Sequence, residues 1–490
     1  MKKLMKKQTI ILIVLCTSLQ VFAQNPIVFE KLYFSENYPF GTGARCVAQC
    51  NDGGYLIGGY SYFGWYQMRQ LLLKTDSLGN EEWRNYYGTI PCHDNQIWDI
   101  EQLPNGNYVC CGSGTFTEPS DNDLAPWNSI IMSVDTAGNL LWYHEINLGQ
   151  YEKFNSLIIN NNKIYCAGWA DEPPTKEYAR PIWAICNIDG SNLQTFTPEY
   201  PFQQGDKIIR GICKQNDSIF HITGDMGNYS FIISINQFGD TLQTKTIGSG
   251  YPSQLTLYDI AYIDGEIICV GLINENNIDY EHSAYYAKFD NSLNLINDYW
   301  YPFENEEEVM FCKKVLAEPN GDFIIAGIIG TPDRDWEIWI KKHSYNNEIL
   351  WERCMGGGPS GDELQDIIKT SDGGYVILST SRSFSDSSVI CLVKTDSMGN
   401  GNYSSPVPIA NSKPQQINIY PNPASNHCYI EFNNNLDSEF IEVYNLTGAL
   451  VLRCKVENRK QTLNTSTLKA GLYIITDEKR SFTKKLIINN

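Results

Sequence analysis

The stretch NDGGYLIGGYS, residues 51–61, decides the fold. It opens with turn residues and continues as a run that is apolar on both sides of the chain, which is typical of a strand covered on both faces. Versions of this run recur in steps of 47 to 56 residues. Their closing residues are Gly59, Gly112, Gly168, Gly224, Gly271, Gly327 and Ser379. Short β-type runs at a period near fifty predict a β-propeller rather than a helical solenoid.

Each copy contains four short strand candidates separated by turn residues. In the first copy these are ARCVAQC (44–50), GYLIGGY (54–60), RQLLLKT (69–75) and EEWRNYY (81–87). The turn DSLGN (76–80) recurs as DTAGN (135–139) and DSMGN (396–400), where glycine suits a positive φ. In SYNNE (344–348), Asn347 takes the glycine position. We therefore predict an all-β protein with a seven-bladed β-propeller over residues 24–405. These phrases resemble the propeller-like repeats of many secreted bacterial proteins, a resemblance that implies no defined activity.

The seventh copy has little room for its own fourth strand, because two serines and two prolines follow it at 404–408. The N-terminal stretch PIVFEKLYF (26–34) reads as a fourth strand without a blade, with Phe29 at the position that Trp83 and Trp142 hold in other copies. We expect it to pair with VICLVKT (389–395) and to close the ring.

Residues 1–23 have the layout of a secretory signal peptide, with four early lysines, an apolar run at 10–15 and a small residue at 23. Removing them would lower the net charge from −19 to −23, since they hold four lysines and no acid. So acidic a chain repels phosphate backbones, and we expect no nucleic-acid partner. No later stretch is apolar for long enough to predict a transmembrane segment.

Fourteen cysteines follow the signal, and most lie in apolar strand-like runs, where they read as small core residues. Disulfide pairing stays open, including a pair between Cys428 and Cys454. The histidines are scattered singly and no Cys-x-x-Cys occurs, so we predict no metal site and no cofactor.

The composition changes at residues 406–416, which we interpret as a linker, and alternating strands resume at 417. Residues 417–490 read as a small Ig-like β-sandwich. They closely resemble the type A C-terminal sorting domain of the type IX secretion system of Bacteroidetes. The motif residues that carry the resemblance are Tyr420, Pro421, Asn422, Pro423, Gly448, Gly471, Tyr473, Lys484 and Lys485.

This resemblance implies a route and a partner. The protein would leave the cytoplasm through its Sec signal peptide and cross the outer membrane through the type IX secretion machinery. It would then be secreted or held at the cell surface.

No nucleophile motif, metalloprotease motif or phosphate-binding loop is present, and we name no catalytic residue. A binding module for a glycan or a surface-protein ligand is the favoured function. A propeller-type hydrolase or lyase acting on polysaccharide or protein, and a purely structural surface protein, stay open.

A propeller gathers equivalent loops on one face, and the loops between second and third strands here carry aromatic residues. Aromatic rings beside carboxylates suit stacking on sugars or contact with a protein partner, although they could equally cap the blade cores. The candidate ligand-binding residues are Trp65, Trp127, Trp169, Tyr178, Tyr280 and Trp336.

Overall fold

The computed structural model describes most of the two expected parts of the chain. The described residues are 27–35, 41–64, 67–90, 92–117, 127–149, 151–171, 178–198, 206–248, 254–274, 282–301, 309–330, 336–356, 361–385, 387–401, 417–432, 440–445, 450–456, 458–477 and 483–489. The signal 1–23, the linker 406–416 and the candidate residues Trp65, Tyr280 and Gly448 lie outside them. The chain divides into two compact units, residues 1–405 and 406–490, which we treat separately.

Strands build both units, and the described residues contain no helix. The first strands of unit 1 are β1 (Phe29–Tyr33), β2 (Thr42–Gln49), β3 (Tyr55–Gly64), β4 (Gln67–Thr75), β5 (Glu81–Tyr87), β6 (Gln96–Gln102), β7 (Tyr108–Gly114), β8 (Asn128–Val134), β9 (Leu140–Ile146), β10 (Glu152–Asn160), β11 (Lys163–Asp171), β12 (Ala179–Asn187) and β13 (Gln194–Phe196). The others are β14 (Ile208–Asn216), β15 (Ile219–Met226), β16 (Tyr229–Asn236), β17 (Thr241–Ile247), β18 (Gln254–Ile263), β19 (Glu266–Asn274), β20 (Ser283–Phe289), β21 (Leu295–Tyr301), β22 (Val309–Ala317), β23 (Phe323–Gly330), β24 (Glu337–His343), β25 (Ile349–Met355), β26 (Asp362–Lys369), β27 (Tyr375–Ser381) and β28 (Val389–Thr395).

In the described part of unit 1 these strands form seven antiparallel four-stranded sheets, which we call blades 1 to 7. Blades 1 to 6 take their strands in chain order, from β2–β5 to β22–β25, and blade 7 has the order β1-β28-β27-β26. Each blade shares a buried apolar core with the next, and blade 7 shares one with blade 1. The sheets therefore stand in a closed ring, and the predicted all-β propeller architecture is confirmed.

The ring closes through the N-terminal strand, as expected. β1 pairs antiparallel with β28, and Phe29 lies opposite Lys394 while Tyr33 lies opposite Ile390. Blade 7 thus takes three strands from the C-terminal end of the repeat and one from its beginning. The Tyr33 hydroxyl also donates to the carbonyl of Gly79 in blade 1, 2.8 Å away.

The recurrent turn phrase joins the third and fourth strands of a blade. Asp76 accepts backbone N–H groups of Leu78 and Asn80 at 2.9 and 2.8 Å, and Gly79 has φ of +74°. Asn347 has φ of +67° at the glycine position of its turn, which confirms the reading of SYNNE.

First strands line the axis of the ring, because those of neighbouring blades contact one another. Second and third strands are almost wholly buried, as in β7 and β8, which explains their continuous apolar runs. Fourth strands such as β9, β17 and β21 form the exposed rim.

Unit 2 consists of two sheets around one buried core. Its strands are β29 (Ile417–Tyr420), β30 (His427–Phe432), β31 (Phe440–Asn445), β32 (Leu450–Lys455), β33 (Lys460–Asn464), β34 (Gly471–Asp477) and β35 (Thr483–Ile488). One sheet has the order β29-β30-β33 and the other β32-β31-β34-β35. The core includes Ile430, Val443, Ile475 and Leu486. Cys428 and Cys454 lie in different sheets and are free thiols, so the pairing left open by the sequence does not form.

Candidate functional site

Every first strand carries a β-bulge at the same place, and the bulges set the lining of the axial channel. A bulge inserts one residue that has no partner in the ladder and turns its side chain out of the regular alternation. The seven bulged residues are Arg45, Trp98, Asn155, Arg210, Tyr258, Lys313 and Gln365.

An aspartate follows the bulge in blades 2, 5 and 7 and clamps its blade to the next one. Each of these carboxylates accepts the backbone N–H two residues after the neighbouring bulge. The three pairs are Asp99 with Leu157 (2.8 Å), Asp259 with Val315 (3.0 Å) and Asp366 with Val47 (3.0 Å). Because a bulge leaves backbone groups without ladder partners, the carboxylates satisfy donors that would otherwise be buried and unpaired.

Lys314, the residue after the bulge in blade 6, balances these acids. Its ammonium lies 3.3 Å from Asp366, and its side chain remains 34% exposed because it faces the channel. Burial raises the pKa of Asp99 to about 6, and the charge of Lys314 opposes that rise. The charges of Asp366, Asp259 and Asp99 raise the pKa of Lys314 although burial lowers it. The aspartates thus hold the ring together, and we assign them no catalytic role.

A different group of side chains lies nearer the end of the channel where the first strands begin. Since first and second strands are antiparallel, this is the end that carries the loops between second and third strands. Here the indole of Trp98 holds two cations: Nζ of Lys153 lies 3.9 Å from the ring centroid and Cζ of Arg45 lies 4.4 Å from it. Cation–π contacts place a cation without neutralising it. We call Arg45, Trp98, Lys153 and Trp169 the axial cluster.

Amides and a second aromatic ring also lie around the two cations. Arg45 donates from Nε to Gln96 (2.8 Å) and from Nη1 to Gln365 (3.2 Å), both through the side-chain carbonyls. Lys153 has a second ring near it, Trp169, at 5.7 Å. No ion pair joins either cation to a carboxylate within the described residues.

The neighbouring cations of the channel are paired. Arg210 donates to Asp225 at 2.6 Å, and Lys313 pairs with Glu363 at 2.5 Å. The pKa of Lys153 is lowered to about 8, chiefly by burial; the charge of Asp94 opposes this fall, and those of Arg45 and Arg210 add to it. Arg45 and Lys153 are therefore two cations without an ion pair among the described residues, in a chain whose net charge is −19.

The sequence-predicted aromatic residues lie at the same end of the ring but are spread over blades 2, 3 and 6. Trp169 belongs to the axial cluster. Trp127 packs on Tyr151, with ring centroids 4.2 Å apart. Trp336 packs edge-on against Phe311 at 5.8 Å and is 38% exposed. Tyr178 is half-buried. No contact among the described residues joins any two of these four, so their shared role as a ligand site stays a prediction.

Sequence reasoning missed Arg45, Trp98 and Lys153, because they lie in strands and not in loops. One signal was available. The first strands of three blades repeat Asp-Ile after the bulge, at 99–100, 259–260 and 366–367. The Asp-Ile repeat identifies the first strand of a blade. The residue just before each Asp is therefore the bulged one, which lies at the axis.

The sorting-motif residues of unit 2 lie mainly beside its last strand. The Asn422 side chain donates to the carbonyl of Lys485 and accepts from the N–H of Ile487, both at 2.8 Å. Ala424 continues this pairing through the carbonyl of Ile487. Residues 422–424 therefore fasten the exposed edge of β35.

Other motif residues support the turns around that strand. The Tyr420 hydroxyl donates to Glu431 at 2.8 Å, and the Tyr473 hydroxyl donates to the carbonyl of Lys469 at 2.9 Å. Gly471 begins β34, which pairs with β35. Pro421 and Pro423 lie in the segment that joins β29 to β30. Lys484 and Lys485 are exposed on β35.

The described residues include no candidate metal centre and no candidate membrane helix. No group of three or more His, Cys, Asp or Glu side chains there could hold a metal ion. No helix of that part of the chain has the length and apolarity to cross a membrane.

Unit 2 matches a protein family, the secretion system C-terminal sorting domain, over residues 418–489. No functionally curated protein matches the chain. One similar solved structure is PorZ, described as an essential bacterial surface component of the type IX secretion system of Porphyromonas gingivalis. It has 11% identity and a TM-score of 0.26, and the match covers 92% of this chain and 82% of PorZ.

Two further structures are similar over the propeller. The propeller domain of the Trilobed protease from Pyrococcus furiosus has 10% identity and a TM-score of 0.41, with 76% of this chain and 99% of that chain covered. An α-L-arabinanase of Penicillium chrysogenum, solved with arabinobiose, has 11% identity and a TM-score of 0.40, with 76% and 99% covered. None of these distant likenesses carries an argument about activity. The chain is a propeller protein with a type IX secretion system C-terminal sorting domain, which directs its secretion to the cell surface.

Proposed function

We propose that the propeller is a binding module that takes a glycan or protein ligand at the mouth of its axial channel. The observation that carries this proposal is the pair of cations on Trp98, since Arg45 and Lys153 are fixed in place and lack a carboxylate partner among the described residues. Charged side chains held ready in this way need no reorganisation when a ligand arrives.

The donors of the cluster also suit a ligand. The indole N–H groups of Trp98 and Trp169 are buried and have no acceptor among the described residues. Buried donors without partners are costly, and an acceptor supplied by a ligand would satisfy them. The aromatic surfaces beside these donors favour a sugar over a peptide, because a pyranose offers both hydroxyl acceptors and an apolar face.

A hydrolytic site is less well supported. Glycoside hydrolysis ordinarily needs two carboxyl groups on either side of the scissile bond. Three carboxylates of the described channel are already engaged: Glu363 with Lys313, Asp225 with Arg210, and Asp99 with the backbone of blade 3. Binding needs no such pair.

The test is a glycan array and a panel of surface proteins, probed with the full chain without its signal peptide and with its Trp169→Ala variant. We expect glycan binding that the variant loses by at least tenfold, with an unchanged Tm. Normal binding by the variant would place the ligand elsewhere. Turnover of a substrate in a parallel hydrolase and lyase assay would replace the binding function with the enzymatic one.

A further inference from the structure

The lining of the channel separates two kinds of cation. Arg210, Lys313 and Lys314 each have a carboxylate within ion-pair distance, so their charges are balanced locally. Arg45 and Lys153 have a tryptophan face instead. The positive charges of Arg45 and Lys153 are therefore not balanced by an ion pair among the described residues, and a ligand could balance them.

Two acids act on these cations through their charge, Asp94 on Lys153 and Glu363 on Arg45, but neither forms an ion pair with them among the described residues. Asp94 accepts a hydrogen bond from the side-chain N–H group of Gln96, whose carbonyl in turn accepts from Arg45. The amide therefore stands between the carboxylate and the guanidinium. Asp94 acts on Lys153 through its charge alone and forms no ion pair with it among the described residues.

We propose that the axial cluster binds a sugar that carries a carboxylate, such as a hexuronate, with Arg45 and Lys153 donating to the carboxylate and the ring against Trp169. This inference rests on the proposed binding function and adds the chemical class of the ligand. A carboxylate accepts charge-assisted hydrogen bonds from guanidinium and ammonium groups, which are stronger than neutral ones.

The remaining donors favour a sugar acid over an acidic peptide. Besides the two cations, the cluster offers only N–H donors, from Trp98 and Trp169. An acidic peptide brings backbone N–H donors along with its carboxylates, and the cluster has no acceptor to offer them. A uronate adds ring and hydroxyl oxygens on the same rigid frame, so it can reach the indole donors as well.

Three probes test the class of ligand on the full chain without its signal peptide: a trimer of galacturonate, the same trimer with its carboxyl groups reduced, and triglutamate. Isothermal titration should show binding of trigalacturonate, at least tenfold weaker binding of the reduced trimer and of triglutamate, and a marked loss of affinity at high salt. Lys153→Met should weaken trigalacturonate binding at least tenfold, and Lys153→Arg should retain it.

Lys214→Met is the matched control. Lys214 also lies in a first strand, but near the opposite end, where it pairs with Asp217 in the exposed turn. Lys214→Met removes the same single positive charge as Lys153→Met. If it binds trigalacturonate within twofold of the parent, the position of the lysine matters and not the net charge of the protein. Tm values of all variants separate lost contacts from lost folding.

The failures are distinguishable. Equal binding of the reduced trimer would overturn the carboxylate inference and leave the glycan-binding function standing. Equal or tighter binding of triglutamate would overturn the sugar class. If none of the three probes binds, the inference fails, and the array alone decides the proposed function.

Discussion

The indole of Trp83 in blade 1 lies against the turn glycine Gly138 of blade 2, so closely that a Cβ on Gly138 would be 2.8 Å from Cζ3 of Trp83. The Trp83 N–H also donates to the carbonyl of Thr136 in the same turn, at 3.2 Å. The same relationship recurs around the ring. The other pairs are Phe29 with Gly79, Trp142 with Gly190, Phe196 with Gly239 and Trp351 with Gly399.

Replacing Gly138 with alanine should therefore destabilise the propeller through two effects. Its φ of +80° is strained for an L residue, and the new Cβ would push on Trp83 and Asn85. Gly106→Ala is the control, since Gly106 has φ of +90° but no atom nearer than 3.8 Å. We expect Gly138→Ala to lose about 1–3 kcal/mol more free energy of unfolding than the control in urea titrations. Equal losses in the two variants would show that the packing of the Trp83 indole on Gly138 contributes nothing to stability.

This contact explains why the repeat could be found in the sequence at all. A turn that needs positive φ demands Gly or Asn, and an aromatic ring that packs on it demands a missing Cβ, so both residues recur at fixed spacing. Blade 5, whose turn has neither Gly nor Asn at this position, departs from the pattern with Leu293 at φ of +60°. The sequence alone placed Phe29 at the position that Trp83 and Trp142 hold in other blades. Phe29 lies against Gly79 in the same way as Trp83 lies against Gly138.

The N-terminal strand can be tested separately as the closing element. Deleting residues 27–34 would leave the edge of β28 unpaired and remove Phe29 from Gly79. We expect a lower Tm, and partial recovery when a synthetic peptide of residues 27–35 is added in excess, because binding to the folded state stabilises it. A peptide of the same composition in scrambled order serves as the control. Full stability without the strand would mean that the ring closes by another means.

Asp366 should be more sensitive to amide substitution than a turn aspartate. Its two oxygens accept different backbone donors, Val47 of blade 1 and Ile367 of its own strand. An asparagine would turn an NH₂ group toward one donor and lose the charge opposite Lys314. We expect Asp366→Asn to cost about 2–4 kcal/mol.

Asp396→Asn is the matched comparison in an exposed turn. There Oδ1 accepts the N–H groups of both Met398 and Asn400, so an amide carbonyl can replace it. Oδ2 accepts from the side-chain amide of Asn400, an exposed hydrogen bond that water can replace. We expect a loss of less than about 1 kcal/mol. Chemical denaturation of the two variants measures both losses. If Asp366→Asn lowered the free energy of unfolding as little as Asp396→Asn, the role of Asp366 in joining blade 7 to blade 1 would be contradicted.

Trigalacturonate binding should weaken above pH 8. The pKa of Lys153 lies at about 8 in the free protein, lowered by burial and by Arg45 and Arg210 against the charge of Asp94. A bound carboxylate stabilises the ammonium and raises that pKa in the complex. Affinity is then nearly constant below pH 8 and falls by up to about tenfold per pH unit above it. Titrations from pH 6 to 9.5 should show this fall in the parent and not in Lys153→Arg, whose charge persists.

Unit 2 should direct export without supporting the fold of unit 1, because each unit has its own buried core. We expect a chain without residues 417–490 to stay in the periplasm with the Tm of the parent propeller. Asn422→Ala, which loses both hydrogen bonds to β35, should reduce export in part. Cell fractionation decides both points, and normal surface delivery of the truncated chain would contradict the sorting assignment.

The candidate site could be predicted only in part. Sequence pointed through Trp169 and Trp336 to the end of the ring where the axial cluster lies, since loop aromatics stand out among polar neighbours. Arg45 and Lys153 gave no such signal, because a single cation in an apolar strand resembles an edge residue until a bulge turns it to the axis. Which blades face each other across the channel is a property of the closed ring, and no local pattern encodes it.

The pairing of Phe29 with Lys394 has a consequence for biogenesis. The strand that leaves the ribosome first completes its sheet last, after 365 further residues have appeared. At synthesis rates of about 5–20 residues per second this delay is roughly 20–70 s. Throughout that interval β1 and the most recently synthesised blade both have unpaired strand edges. Such edges are templates for pairing with another chain. Two nascent copies that exchange their first strands would each complete the other's ring, so crowding on the ribosome or at the export pore would favour swapped dimers.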